Sequence, residues 1–153
     1  MILYATKHGA TREISQRIAE KIGGAQMHDL KHEDVPDLAQ FDCVIVGGSL
    51  YAGTLRKEAK AFVAKNADVL RAKKLGLFLS GLDMTNGHKA FEPNFPAEIL
   101  AAAEAKASLG GIFDPKKAGV IERFIMKIVM KSSGYVSTID DDAVSRFVEA
   151  LKS

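Results

Sequence analysis

The sequence has one cysteine, almost no net charge and no long uncharged apolar run, and each shortage excludes a class of protein. Cys43 has no second cysteine to pair with, so no internal disulfide forms, which is typical of proteins of the reducing cytoplasm. Twenty-one lysines and arginines oppose nineteen aspartates and glutamates. A surplus of two positive charges gives no argument for a nucleic-acid partner.

Charged residues interrupt every apolar run well before the roughly 18 residues that a membrane-spanning helix needs. The chain opens directly on an apolar, strand-like stretch, with no basic-then-apolar leader and no small-residue cleavage site. We therefore expect a cytoplasmic protein that does not span a membrane. The length of 153 residues and the hydrophobic content of 47% predict a single globular domain over residues 1–153.

Strand-like apolar runs alternate with helical patterns along the chain. The predicted strands are Met1–Ala5, Gln26–Leu30, Cys43–Val46, Leu75–Leu79 and Leu109–Phe113. The predicted helices are Ile14–Ile22, Arg56–Asn66, Ala97–Ala107, Val120–Lys131 and a last one that begins at Asp140–Asp142. Gly47 and Gly48 are predicted to bound the third strand. This alternation predicts an α/β protein whose parallel sheet is covered on both faces, a three-layer α/β/α sandwich.

The turn Thr6–Thr11 after the first strand is the first candidate for ligand binding. It opens a helix, so backbone N–H groups and the helix dipole favour an anion there, and two threonine hydroxyls add donors. Gly9 would let a ligand approach the backbone closely. The turn matches neither GxGxxG nor GxxxxGK[ST], which disfavours a Rossmann dinucleotide site and a nucleoside-triphosphatase P-loop. The alternative is a plain strand-to-helix turn with Thr11 as the cap.

The segment Tyr4–Thr11 resembles the FMN-phosphate loop of the flavodoxins, T-x-x-G-x-T, which directly follows the first strand. The resemblance implies a five-stranded parallel sheet of order 2-1-3-4-5 with FMN as cofactor. It also implies that the loops after strands three and four, Gly48–Thr54 and Ser80–Asn86, clasp the isoalloxazine ring. The cofactor-binding residues that it implies are Thr6, Lys7, His8, Gly9, Ala10, Thr11, Ser49, Leu50, Tyr51, Ala52, Gly53, Ser80, Gly81, Leu82 and Asp83.

Two residues of the first flavin loop have particular parts in this prediction. Tyr51 is the only tyrosine or tryptophan in either flavin loop and is the candidate for stacking on the ring, the alternative being a partly buried structural tyrosine. Gly53 is the candidate for a peptide that turns over so that its carbonyl accepts a hydrogen bond from N5–H of the reduced flavin. That role is implied by the resemblance, and glycine's access to positive φ favours it.

A longer resemblance extends to the menaquinone-dependent protoporphyrinogen IX dehydrogenases, which are flavodoxin-like FMN enzymes of haem synthesis. It is carried by Ile45–Ser49, by Lys57–Asn66 and above all by Ile121–Gly134, whose R-F-x-x-K-x-x-M-K core ordinary flavodoxins lack. That family has an extra segment between the fifth strand and the last helix, here at about residues 114–135. The chain departs from the family where Ala52, rather than an aromatic residue, precedes the loop glycine, and in a compressed loop from Met84 to Pro96.

The extra segment is also unusual on its own residues. Its apolar side chains keep a helical period, and two methionines widen the apolar face. Between Asp114 and Lys131 five basic residues stand against two acidic ones. A basic amphipathic helix of this kind suits an anionic membrane surface, a quinone-bearing partner or a large planar apolar substrate. The alternatives are a helix packed on the core and a dimer contact.

The resemblance implies an FMN oxidoreductase that passes electrons from a protoporphyrinogen-like substrate to a quinone, with no assigned catalytic acid or base and no metal. One alternative is a flavodoxin proper, a one-electron shuttle, which the slightly basic composition disfavours. The other is an FMN-free binding module, which the intact Thr6, Gly9 and Thr11 disfavour. The expected partners are a quinone or porphyrinogen-like molecule and the inner face of the membrane, contacted through Val120–Lys131, with no nucleic acid. A homo-oligomer is left open.

Overall fold

A computed structural model of the protein, which describes residues 1–83 and 85–153, shows one mainly parallel sheet between two layers of helices. The strands are β1 (Ile2–Ala5), β2 (Met27–Asp29), β3 (Cys43–Tyr51), β4 (Thr54–Leu55), β5 (Lys74–Ser80), β6 (Ala103–Ser108), β7 (Ile112–Phe113) and β8 (Val136–Ser137). The helices are α1 (Ala10–Ile22), α2 (Lys57–Lys65), α3 (Ala67–Arg71), α4 (Ala97–Ala102), α5 (Val120–Val129) and α6 (Asp141–Lys152), with 3₁₀ turns at Leu38–Gln40 and Gly87–Ala90.

The parallel strands lie in the order β2-β1-β3-β5-β6, and β4 pairs antiparallel with β3. Side chains of each strand alternate between two cores, as the pleat requires. Leu3 of β1 belongs to the core beneath α2, α3 and α4, whereas its neighbour Ile2 packs with Ile18 of α1 and Phe147 of α6. Counted among the parallel strands alone, the order is 2-1-3-4-5. The predicted three-layer sandwich and strand order are therefore confirmed.

The fifth parallel strand does not lie where the sequence predicts it. The predicted helix over Ala97–Ala107 is wrong in its second half, because α4 ends at Ala102 and β6 follows directly. Along β6 buried and exposed side chains alternate at first, and the small apolar residues face the core beside β5. Burial against the sheet thus overrides the helix propensity of alanine and glutamate. The predicted strand Leu109–Phe113 is a connection that ends in β7, which pairs with β8 outside the main sheet.

The prediction that two glycines end the third strand is also wrong, because β3 runs through them to Tyr51. A Cβ at Gly47 would lie 2.1 Å from the ring of Phe78, and one at Gly48 would lie 2.4 Å from Leu55 Cδ1. Glycine is therefore needed at both positions for close packing and not for a turn. Within the described residues, no helix has the length and apolar character to cross a membrane.

Candidate functional site

The carboxyl ends of β1, β3, β5 and β6 meet at one cavity of about 640 Å³, as expected for ligand sites in open parallel sheets. Of the predicted cofactor residues, those that line it are Thr6, Lys7, His8, Ala10, Ser49, Leu50, Tyr51, Ala52, Gly53, Ser80, Gly81, Leu82 and Asp83. Gly9 and Thr11 do not line the cavity. Met84, in the predicted loop after the fourth strand, lies outside the described residues.

A second depression of about 850 Å³ lies between residues 33–39 and residues 62–73. These segments precede β3 and β5, so the depression is at the amino ends of the strands, away from the usual ligand edge. It contains none of the predicted site residues, and we therefore take the cavity at the carboxyl ends as the candidate site.

The turn between β1 and α1 has the features of an anion site. Gly9 adopts φ +95° just before the helix, and its N–H donates to Thr6 Oγ1 at 3.0 Å. The N-cap of α1 is Gly9, and no side chain in the described part of the chain caps the helix, so the alternative in which Thr11 caps it is wrong. Thr11 is instead fully buried in the first turn, and among the described residues its Oγ1 has no hydrogen-bond partner. Helix-start N–H groups and an orphaned buried hydroxyl fit a phosphate-binding loop.

Glu122 of α5 contacts both basic side chains of this turn. Its carboxylate forms an ion pair with Lys7, and its Oε2 lies 2.9 Å from Nε2 of His8. Burial would raise the pKa of Glu122, but hydrogen bonds from Lys7 and His8 outweigh that effect and hold its pKa below the ordinary 4.5. The carboxylate is therefore ionised at neutral pH and compensates the positive charge of the turn.

Side chains on two sides of the cavity could pack against a flat ring. Tyr51 is 56% exposed at the end of β3, and Lys7 Nζ lies 4.8 Å from its ring centroid. The alternative of a partly buried structural tyrosine does not describe so exposed a ring. On the α5 side, Ile125, Met126 and Val129 also line the cavity, so the space is bordered by apolar side chains from both β3 and α5.

The predicted loop after the third strand is a tight hairpin in which Tyr51 pairs with Thr54. The two turn residues, Ala52 and Gly53, have φ of +48° and +76°, as a type I′ turn requires. Alanine is strained in this region, and such strain is commonly kept at ligand sites. The Gly53 carbonyl accepts a hydrogen bond from Asn94 Nδ2 at 2.8 Å, which holds the peptide between Gly53 and Thr54 in place. The peptide best placed to turn over is therefore the one between Ala52 and Gly53.

Asn94 is the polar anchor of this hairpin, and no sequence pattern predicts it. Its buried side chain accepts from Leu55 N–H at 2.8 Å and donates to the carbonyls of Gly53 and Ala90, both at 2.8 Å. These bonds connect the hairpin turn, β4 and the 3₁₀ turn at Gly87–Ala90. An asparagine in a polar loop carries no pattern that would reveal them.

We expect Asn94→Ala to lower the free energy of unfolding by about 1 to 3 kcal/mol, because it leaves the buried N–H of Leu55 unpaired. It should also weaken ligand binding at the hairpin, since the turn at Gly53 loses its anchor. Urea unfolding and a flavin titration measure the two effects. Asn66→Ala is the matched control, because among the described residues the side chain of Asn66 makes one hydrogen bond, to the carbonyl of Phe62, and it does not line the cavity. Equal losses in both variants would contradict the anchoring role.

The cavity also contains residues outside the predicted cofactor set. Asn86 ends the predicted loop Ser80–Asn86, and four further residues, Glu122, Ile125, Met126 and Val129, lie in the predicted helix Val120–Lys131. The lining residues that are predicted for no site are Arg56, Gly87, Ala90, Ser108, Gly111, Ile112 and Phe113. Ser108 and its successors are missed because the fifth strand is predicted too late in the chain. Glu122 had a usable signal, since it is the only acidic residue of α5.

Comparisons with known proteins agree with this fold. The flavodoxin domain model matches residues 1–140. The chain is 23% identical over 144 residues to the protoporphyrinogen IX dehydrogenase [quinone] of Escherichia coli K12, which covers 88% of this chain and 80% of that protein. It is 26% identical over 115 residues to a flavodoxin of Synechocystis sp. PCC 6803, which covers 72% of this chain and 65% of that protein. An enzyme and a flavodoxin are thus both among its relatives.

The solved structure of the Streptococcus pneumoniae TIGR4 flavodoxin superposes on this chain with a TM-score of 0.61 at 20% identity. The superposition covers 99% of this chain and 95% of that one, and likeness at this identity concerns the fold. The family match spans nearly the whole chain, and the sheet has the strand order that the family resemblance implies. The chain therefore belongs to the flavodoxin domain family.

Proposed function

We propose that the chain is an FMN-dependent oxidoreductase that passes electrons from a protoporphyrinogen-like substrate to a quinone. The observation that carries the proposal is the position of α5. This helix lines the candidate cofactor cavity with Ile125, Met126 and Val129, and the same apolar surface continues outward. An apolar wall that continues to solvent suits the entry of an apolar substrate, and a protein that only shuttles electrons between redox partners binds no such substrate.

The cofactor is FMN. The Thr6–Thr11 turn would hold its phosphate, with positive charge from Lys7 and a ring N–H from His8. Tyr51 would form the flat wall beside the ring, and the polar groups of Ser80 and Asp83 would face its edge. The cavity of about 640 Å³ is within the usual range for cofactor sites, roughly 300 to 1,000 Å³. When bound, FMN supplies the two-electron acceptor chemistry, and the protein positions the ring.

An apolar substrate is supported by residues that both line the cavity and reach solvent. Ile125 and Val129 border the cavity and are 46% and 70% exposed. A planar apolar molecule could therefore follow one continuous apolar surface from outside to the flavin site. A quinone ring is flat and apolar, and a porphyrinogen is a large macrocycle with mostly apolar surface, whereas small polar substrates have neither property.

The outward face of α5 supports a contact with an anionic membrane surface. Six apolar side chains of this helix are between 46% and 82% exposed, and only Met126 is buried. The exposed charges of the helix, Arg123 and Lys127, are both positive, because Glu122 is turned toward the Thr6–Thr11 turn. Exposed apolar residues beside basic ones are the pattern of helices that lie in the membrane interface.

We expect the double variant Phe124→Ser/Ile128→Ser to bind phosphatidylglycerol vesicles at least about tenfold more weakly than the parent, because two apolar anchors are lost. Co-sedimentation at low and high salt is the measurement, with phosphatidylcholine vesicles for comparison. Val69→Ser is the matched control, since Val69 is an exposed apolar residue of α3, 42% exposed and away from α5. Unchanged binding by the double variant would contradict the membrane contact.

The proposed function is tested with the purified protein and FMN under anaerobic conditions. We expect flavin absorbance to remain with the protein after gel filtration, and protoporphyrinogen to be oxidised when a menaquinone analogue is supplied. FMN binding without this oxidation would favour the flavodoxin shuttle, to which the Synechocystis relative points. A protein that stays colourless with FMN would favour the FMN-free binding module.

A further inference from the structure

The acidic residue of α5 points into the site rather than toward solvent. Glu122 lies in the first turn of the helix, and its side chain is 21% exposed. It contacts His8 and Lys7, which lie 114 and 115 positions earlier in the chain. An otherwise apolar and basic helix has thus placed its one carboxylate on the Lys7 ammonium and the His8 ring of the Thr6–Thr11 turn.

The same turn is the place where the phosphate of FMN would bind. A second lysine is also close, because Lys117 Nζ lies 3.8 Å from where a Cβ of Gly9 would be. A carboxylate and a phosphate are both oxygen anions, and they need the same donors. Two anions held on one small group of cations repel each other. The Glu122 carboxylate therefore occupies donors that a bound phosphate would use.

We propose that Glu122 is a latch that holds α5 on the phosphate turn when no cofactor is bound, and that a bound phosphate displaces it. This inference rests on the proposed FMN site. The phosphate carries more negative charge than one carboxylate, and it also fits the helix-start N–H groups of α1. The hydrogen bonds of Glu122 go instead to the side chains of Lys7 and His8. Phosphate binding thus competes directly with the latch.

Release of the latch leaves α5 weakly held. Met126 is the only buried residue of the helix, and it packs in a small cluster with Phe113 and Ala118. The remaining apolar side chains of α5 are already exposed. Loading the cofactor would therefore free the helix that borders the cavity, so that it can move relative to the flavin and to its partner surface.

The latch is tested with Glu122→Gln, which removes the charge and keeps the size of the side chain. We expect Glu122→Gln to bind FMN about tenfold more tightly than the parent in a flavin-fluorescence titration, the factor expected if the latch is closed about nine-tenths of the time. Glu98→Gln is the matched control, because Glu98 is an exposed acid in the first turn of α4 that does not line the cavity. Weaker or unchanged binding by Glu122→Gln would overturn the proposal.

A second measurement does not require flavin binding, because inorganic phosphate alone serves as a probe. Trypsin cleaves after Arg123 and Lys127, so cleavage within α5 reports its release. We expect inorganic phosphate and FMN, but not phosphate-free riboflavin, to speed this cleavage in the parent, and Glu122→Gln to be cleaved fast without any addition. Equal cleavage of the parent and Glu122→Gln, unaffected by phosphate, would overturn the latch. Absence of FMN binding in both proteins, with the phosphate effect intact, would overturn only the proposed function.

Discussion

Gly47→Ala is expected to lower the free energy of unfolding by at least about 3 kcal/mol. The added Cβ would lie 2.1 Å from Cε1 and Cζ of Phe78, which is fully buried and pairs with Gly47 across β3 and β5. The ring has no free space to move into, because it packs edge-on against Phe147 of α6, with centroids 6.3 Å apart. The clash must be relieved by shifting the sheet or the helix layer, and both are costly in a close-packed core.

Urea unfolding measures this effect, with Gly119→Ala as the matched control. Gly119 has an ordinary φ of −72° and, among the described residues, nothing within 4 Å of an added Cβ, so its substitution should cost no more than about 1 kcal/mol, from the poorer N-cap of α5. If Gly47→Ala does not fold, Gly47→Ala/Phe78→Leu provides the readout, since a smaller side chain opposite the new methyl should restore part of the stability. A double variant no more stable than Gly47→Ala would contradict the clash as the cause.

Gly9→Val is expected to bind FMN at least about 30-fold more weakly, because about 2 kcal/mol of charge-assisted hydrogen bonding is lost. Gly9 has φ +95°, which a β-branched residue does not tolerate, so the turn must change its path. The N–H groups that would face the phosphate then point elsewhere. The effect acts through the backbone, since an added Cβ would face Lys117 rather than the cavity.

Gly23→Val is the matched control for this prediction. Gly23 lies at the other end of α1 with nearly the same φ, +94°, and an added Cβ has nothing within 4 Å. Both variants should lose about 1 to 2 kcal/mol of stability from the left-handed conformation, but only Gly9→Val should lose FMN affinity. Flavin-fluorescence titration and urea unfolding separate the two effects. Normal FMN affinity in Gly9→Val would place the phosphate outside the Thr6–Thr11 turn.

Most of the parallel sheet follows from local pattern. β1, β3 and β5 are apolar runs with β-branched residues or leucine, and α1 repeats isoleucine at every fourth position, so period and composition predict them. β6 fails this rule because its residues have high helix propensity, and only the open edge of β5 makes it a strand. An error in one strand then hides the cavity residues that follow it, such as Ser108.

The sequence by itself determined the fold class, the parallel strand order through its family resemblance, and the turn that suits a phosphate. Each of these depends on neighbours in the chain, where periodicity, glycine and helix starts leave a local pattern. The tertiary structure decided that Asn94 anchors the hairpin, that Glu122 lies on Lys7 and His8, and that α5 leaves its apolar face exposed. These contacts join residues about 40 to 115 positions apart, and they exist only because separate elements pack at one edge of the sheet.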